Sequence, residues 1–209
     1  DVIAGYKESG RTCIQVFFFR SKQNWGNQAF FPKHDPEEKL SSVLLSFIAQ
    51  FYENKSIPSL VITSHKINEI KLLEKTFSVK ENKEIIVKQA KKKEERILAS
   101  MAEKNAKQAL TQKLYETQSN LSLINKLSKK FKLKSNISLI EVYDNSHIQG
   151  TDCIGGLVTF GNEGFIKKRY RKFNIKNDAV KGDDYGMLKE VLFRRFSKAV
   201  EEKSGALSL

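Results

Sequence analysis

Ile140-Glu141-Val142-Tyr143-Asp144-Asn145-Ser146-His147-Ile148-Gln149-Gly150, followed later by Gly182-Asp183-Asp184-Tyr185, is the stretch on which the reading of this chain turns. Asp144 shares strand parity with Ile140 and Val142, so it is expected on a face of branched aliphatics, where a carboxylate is costly unless paired or metal-bound. Asp183 and Asp184 follow a glycine at a helix start, where one acid can cap the helix and the dipole favours negative charge. If the strand is central and the helix begins at its carboxyl end, Asp144 and one of the pair converge; the residues alone do not choose between Asp183 and Asp184. Oxygen-only ligands suit Mg²⁺ or Mn²⁺ rather than zinc. Two such ions can activate water and stabilise the leaving oxygen of a phosphodiester, given three or four acidic or His ligands, with His147 a candidate third. Each residue also has a plainer use: Asp144 can open an Asx-turn, Asp183 can be an N-cap, and His147 can bond a nearby carbonyl.

Downstream of the first acid, Lys167-Lys168-Arg169-Tyr170-Arg171-Lys172 reads as part of a strand over Phe165 to Ile175. Cations on both of its faces disfavour burial and suit an edge strand along which a nucleic-acid backbone runs, or a charged edge that blocks aggregation. The whole chain supports a polyanionic partner: 37 Lys and Arg against 24 Asp and Glu give a net charge of +13 over 209 residues. The two cysteines, Cys13 and Cys153, lie far apart and outside any ligand spacing, which excludes a disulfide framework and a zinc site and fits a reducing cytoplasm. No run of about 18 apolar residues suggests a membrane span. Nucleotide-loop, dinucleotide, zinc-protease and hydrolase-elbow motifs are absent from the sequence.

Around these motifs the pattern predicts an α+β chain in three segments: 1–90, 91–134 and 135–209. The first reads as a β-β-α-β-α-β domain. A hairpin of Thr12 to Phe19 and Gln28 to Pro32 opens it, apolar on both faces and so covered on both. Asp35-Pro36-Glu37-Glu38 then starts a helix, with Asp35 as N-cap. Pro58 to Thr63 and Glu84 to Lys88 follow as strands, with a helix over Lys66 to Thr76 between them. Lys91 to Phe131 is one long connecting helix with an apolar stripe, as packing surfaces usually have. The last segment reads as strands over Asn136 to Asp144, Cys153 to Phe160 and Phe165 to Ile175, with a turn at Gly150. These make a three-stranded antiparallel meander followed by a helix from Asp183 to Val200. Tyr185, Leu188, Val191, Leu192, Phe196 and Val200 are its expected buried face, with Gly205 near its end.

Read together, I-E-V-Y-D-N-S-H-I-Q-G, R-Y-R-K-F-N-I and G-D-D-Y-G-M-L-K-E-V-L-F-R-R-F resemble the C-terminal nuclease region of the UvrC family, subunits of the bacterial excinuclease ABC. Gly26 to Pro32 (G-N-Q-A-F-F-P) and Met101 to Ala106 (M-A-E-K-N-A) resemble the part of that family just before the nuclease. The resemblance implies an incomplete ribonuclease-H-like fold from about residue 135 and Mg²⁺- or Mn²⁺-dependent 5′ incision of damaged double-stranded DNA in nucleotide excision repair. It implies Asp144, Asp183 and Asp184 as catalytic carboxylates, with Asp144 and Asp184 on the metal, and UvrB as partner through a segment not in this sequence. Asn145 stands where the family usually has an apolar residue, and Gly186 where it often has Ala. The family's next catalytic aspartate and its later histidine lie beyond Leu209, so the chain is expected to be inactive alone. The alternative expectation is a non-catalytic nucleic-acid-binding or interaction module.

Overall fold

The computed structural model describes residues 1–21, 23–133, 136–148 and 151–201. The chain divides into two compact units, Asp1–Leu114 and Tyr115–Leu209. The turn expected at Gly150 and the helix end expected near Gly205 lie outside the described residues.

In the first unit β1 (Val2–Glu8), β2 (Arg11–Arg20) and β3 (Gln23–Phe30) form an antiparallel meander. Ser9 and Gly10 join β1 to β2 with φ of 50° and 71°, the paired left-handed conformations of a two-residue hairpin whose twist matches its strands. There follow α1 (Leu40–Phe51), β4 (Leu60–Thr63), α2 (Ile70–Glu81), β5 (Ile86–Gln89) and the start of α3 (Lys93–Lys130). The five strands lie in the order β3-β2-β1-β4-β5, with β4 parallel to both β1 and β5.

Both sheet faces are covered. Ile3, Ile14, Val16, Val61 and Val87 pack with Val43, Leu44 and Ile48 of α1 and Leu73 and Phe77 of α2. On the other face Val2, Ala4, Phe17 and Ile62 pack with Ala99 and Ala102 of α3, whose short side chains let the helix approach. Strand β1 is missing from the sequence reading, because Gly5 and the polar run from Lys7 to Gly10 leave too short an apolar stretch to register as a strand. Asp35 is not the α1 N-cap: its side chain accepts the Glu37 amide at 2.8 Å in an Asx-turn, and the helix begins after Lys39, which makes no side-chain cap bond. Trp25, the only tryptophan in the sequence, is 72% exposed on β3.

The second unit, which takes the rest of α3, contains β6 (Leu139–Ile148), β7 (Thr151–Gly161), β8 (Gly164–Phe165), β9 (Arg171–Asn174) and α4 (Asp184–Glu201). β6 pairs antiparallel with β7, and β7 pairs antiparallel with β8 and β9 at successive places along its length. Cys153, Ile175, Met187 and Val191 are buried together, with Tyr143, Phe173 and Val180 against them. The meander and following helix repeat the order of β1, β2, β3 and α1. The fold class is the α+β arrangement expected.

Two expectations for this unit are corrected. The basic strand from Phe165 to Ile175 is broken: after β8, Lys167–Arg169 form a 3₁₀ turn, with the Arg169 and Tyr170 amides bonded to the carbonyls of Ile166 and Lys167, and only Arg171–Asn174 are extended. A turn spreads three consecutive cations that a strand would stack along one edge. Of the expected face of α4, Val191 is buried beside Met187, and Leu188 and Leu192 are half-buried, but Tyr185 and Phe196 are 87% and 40% exposed, and the side chain of Val200 lies outside the described residues. What selects that face is Gly155, which has no side chain where Val191 rests. Among the described residues β6 lies at the edge of its sheet.

Candidate active site

Residues directly opposite each other on antiparallel strands share a sheet face. On β6 and β7 the pairs Glu141↔Thr159, Tyr143↔Leu157 and Asn145↔Gly155 therefore form one face, and Val142↔Val158 and Asp144↔Gly156 the other. α4 covers the first. Arg195 donates to Glu141 at 2.8 Å, and Asn145 Nδ2 donates to the Asp184 carbonyl at 3.2 Å. Asp144 is exposed on the opposite face, beside a Val142 that is 55% exposed. Asp144 thus shares its face with Val142 and Val158, as strand parity requires, but both it and Val142 are exposed there.

The open face holds a row the sequence does not announce. Gly156 pairs with Asp144 on one side and Lys172 on the other, so an acid and a cation stand two strand spacings apart, roughly 10 Å, with no side chain between them. A Cβ built at Gly156 would meet only the Asp144 carbonyl, at 3.7 Å. The gap is a shallow trough. Lys167, Lys168, Arg169, Arg171 and Lys172 are all exposed. Arg171 is partly committed, because its guanidinium donates to the carbonyls of Lys168 and Tyr170 at 3.0 and 2.8 Å.

At the head of α4, Asp183 Oδ1 accepts the Tyr185 amide at 3.1 Å and its carbonyl accepts the Met187 amide at 2.9 Å. That is an N-cap, whose carboxylate satisfies an otherwise unpaired helix amide. Asp184 is the first helical residue and is exposed. His147 is exposed near the end of β6, where the pairing register shifts between Ser146 and Ile148.

Behind this surface lies a buttress that sequence reasoning missed. Half-burial works to raise the Glu141 carboxyl, but hydrogen bonds from Arg195 and Tyr143, with the charges of Arg195 and Arg169, outweigh it and hold the group below the usual carboxylate range. Burial and the same carboxylate push the Tyr143 hydroxyl up. Glu190 ties the loop before α4 to the helix by accepting the Lys176 and Asn177 amides at 3.0 and 3.1 Å. Glu141 and Arg195 are 54 residues apart in sequence, a separation that no spacing rule bridges. Asn145 Oδ1 is buried and has no hydrogen-bond partner among the described residues.

An oxygen-liganded divalent ion fits this donor set in kind and only in part in number. Asp144 and Asp184 offer hard anionic oxygens on the strand and helix that the Asn145 contact joins. Among the described residues no group of three Asp, Glu, His or Cys side chains is placed to hold one ion.

Comparison with known proteins supplies the family. Residues 1–113 match the family described as "UvrC Ribonuclease H-like domain" and residues 128–209 that described as "UvrC RNAse H endonuclease domain". The ribonuclease-H-like description thus extends to the first unit, which sequence reasoning had taken only for a small mixed domain. The chain is 46% identical over 203 residues to UvrABC system protein C of Bartonella quintana, 43% identical over 204 residues to that of Maricaulis maris, and 46% identical over 204 residues to that of Rhizobium johnstonii. These alignments cover 97% of this chain and 30%, 32% and 30% of those relatives, so the chain spans about a third of their length. On the strength of both matched halves, the chain belongs to the UvrC family.

Proposed function

We propose that this chain is the middle and nuclease portion of an excinuclease subunit, and that its second unit takes part in metal-dependent incision of damaged double-stranded DNA, 5′ to the lesion, during nucleotide excision repair. The observation that supports the reading is the exposed row in which Asp144 and Lys172 flank the bare backbone of Gly156, an acid for a divalent ion beside a cation for a phosphate; the bond from Asn145 to the Asp184 carbonyl sets the start of α4 at the same strand end, from the other face. Asp144 and Asp184 would hold Mg²⁺ or Mn²⁺, and Asp183 serves them by capping α4. When bound, the ion lowers the pKa of a water and neutralises charge on the phosphodiester. Lys172, across the Gly156 trough, and Lys167, Lys168 and Arg169 in the turn position backbone phosphates without reading sequence. The partner in the complete assembly would be UvrB, and the setting the cytoplasm.

Mn²⁺ titration by calorimetry tests the ligand set. Binding is expected to be lost in Asp144→Asn, weakened in Asp184→Asn and retained in Asp183→Asn, since Asn caps as well as Asp. Undetectable binding in the parent chain, or binding that survives Asp144→Asn, overturns the catalytic assignment. The lack of a third ligand among the described residues favours a second reading, a non-catalytic nucleic-acid-binding module. Its signature is salt-steep DNA affinity with no metal dependence.

A further inference from the structure

The first unit has a concave polar surface of its own. A groove of about 560 Å³ is lined by Ser64, Gln89, Lys91, Arg96, Ser100 and Glu103, over the small side chains of Ala90 and Ala99. It lies at the carboxyl ends of the parallel strands β4 and β5, the edge at which open sheets of this kind bind ligands. Its floor is fixed: the Gly5 amide donates to Ser64 Oγ at 3.3 Å, Gln89 Nε2 to the Ser64 carbonyl at 3.4 Å, and the Ala90 amide to the Thr63 carbonyl at 2.9 Å. Its far wall is one stripe of α3, where Arg96, Ser100 and Glu103 recur at steps of four and three.

β6 carries Asp144, whereas β1, the strand in the same place in the first meander, has no acid between Val2 and Lys7. The groove instead presents Lys91 and Arg96, neither of which enters an ion pair among the described residues. Glu95, next to Arg96 in sequence, is already committed: Lys88 and the Lys91 and Lys92 amides hold its carboxyl down to about 2. Ser64 Oγ is bonded to His65 Nδ1 at 2.8 Å and belongs to the floor, so two available cations, the Ser100 hydroxyl and the Gln89 amide form the donor set for phosphate oxygens, and among the lining residues only Glu103 opposes an anion.

We propose that this groove is a second nucleic-acid contact, in which the first unit grips the sugar-phosphate backbone of DNA without chemistry, through Lys91 and Arg96 with Gln89 and Ser100. The inference rests on DNA being the polyanion, as in the reading above, but on different residues.

Fluorescence anisotropy of the 209-residue chain with a short fluorescein-labelled DNA duplex, at several salt concentrations, tests it. Lys91→Glu with Arg96→Glu is expected to weaken binding by about tenfold or more and to make the log–log salt dependence shallower by about two. Glu103→Gln is expected to tighten binding, a gain that damaged folding would not produce. Unchanged affinity in both variants overturns the inference. Inorganic phosphate is expected to compete no better than another salt of equal ionic strength; displacement of the duplex at much lower phosphate concentration marks a small-anion site and also overturns it. Lys167→Glu with Lys168→Glu and Lys172→Glu, run alongside, separates the two readings. If that set weakens binding while the groove variants do not, the groove fails and the nuclease reading stands. If the groove variants weaken binding while that set does not, the groove stands and phosphate positioning by the second unit fails.

Discussion

Gly155 is the residue on which the second unit closes. A Cβ there would lie 2.4 Å from Val191 Cγ2 and 3.1 Å from Asn145 Oδ1, so Gly155→Ala must push α4 off the sheet or force Val191 from its rotamer. Overpacking of this kind costs about 1–3 kcal/mol, and a chemical-denaturation midpoint lowered accordingly is the expected result. Asn145 shows what residue-level reading can and cannot do. Its departure from the family's usual apolar residue was legible in the sequence, and so was the Asp144 carboxylate beside it. The amide's bond to the Asp184 carbonyl was not, because parity along a strand says which residues share a face and not which face a helix will cover. That is also why Asp144 keeps its expected place beside the aliphatics of β6 and yet stands exposed.

At the scale of elements, α3 and α4 were legible to within a few residues because long apolar periodicity is the strongest signal a sequence carries. The broken strand at Lys167 was not, because a run of cations fits an exposed strand and an exposed turn equally well; the bonds from the Arg169 and Tyr170 amides decide it. The element junction of most consequence is Glu141 with Arg195, which joins β6 to α4 at 2.8 Å with side chains 16% and 20% exposed. A carboxyl whose pKa is depressed by folding contributes stability that is fully present above its unfolded value, about 4.3, and is lost as pH falls through the folded value. Glu141→Gln is therefore expected to lose about 1–2 kcal/mol at neutral pH and to show a flatter acid limb than the parent. Urea melts of the two proteins between pH 7 and pH 3, as an order-of-magnitude range around that pKa, check both effects.

Across the whole molecule, the two units differ in how much core they own. The first closes a five-stranded sheet between helices with clusters on both faces, while the central cluster of the second holds Cys153, Ile175, Met187 and Val191. Less buried apolar surface means lower local stability. Native-state hydrogen exchange is expected to show the β6 amides less protected than those of β1 and β2, with the open β6 edge fastest; equal protection would contradict this. The three segments read from sequence remain a proposal beside the two-unit division, whose boundary after Leu114 falls within α3. A boundary inside a continuous helix leaves no break in composition to read. The ribonuclease-H-like character of the first unit escaped for a related reason: its first strand is interrupted by Gly5, and its one acid, Glu8, is the last residue before the hairpin turn.

Trp25, alone in its kind and exposed on β3, makes the first unit its own optical label. Excitation at the red edge of indole absorption, where tyrosine is silent, lights one hairpin and nothing in the carboxylate-bearing unit. Quenching by iodide or by caesium then gauges the local electrostatic potential of the first unit in solution, with no dye attached and no residue changed.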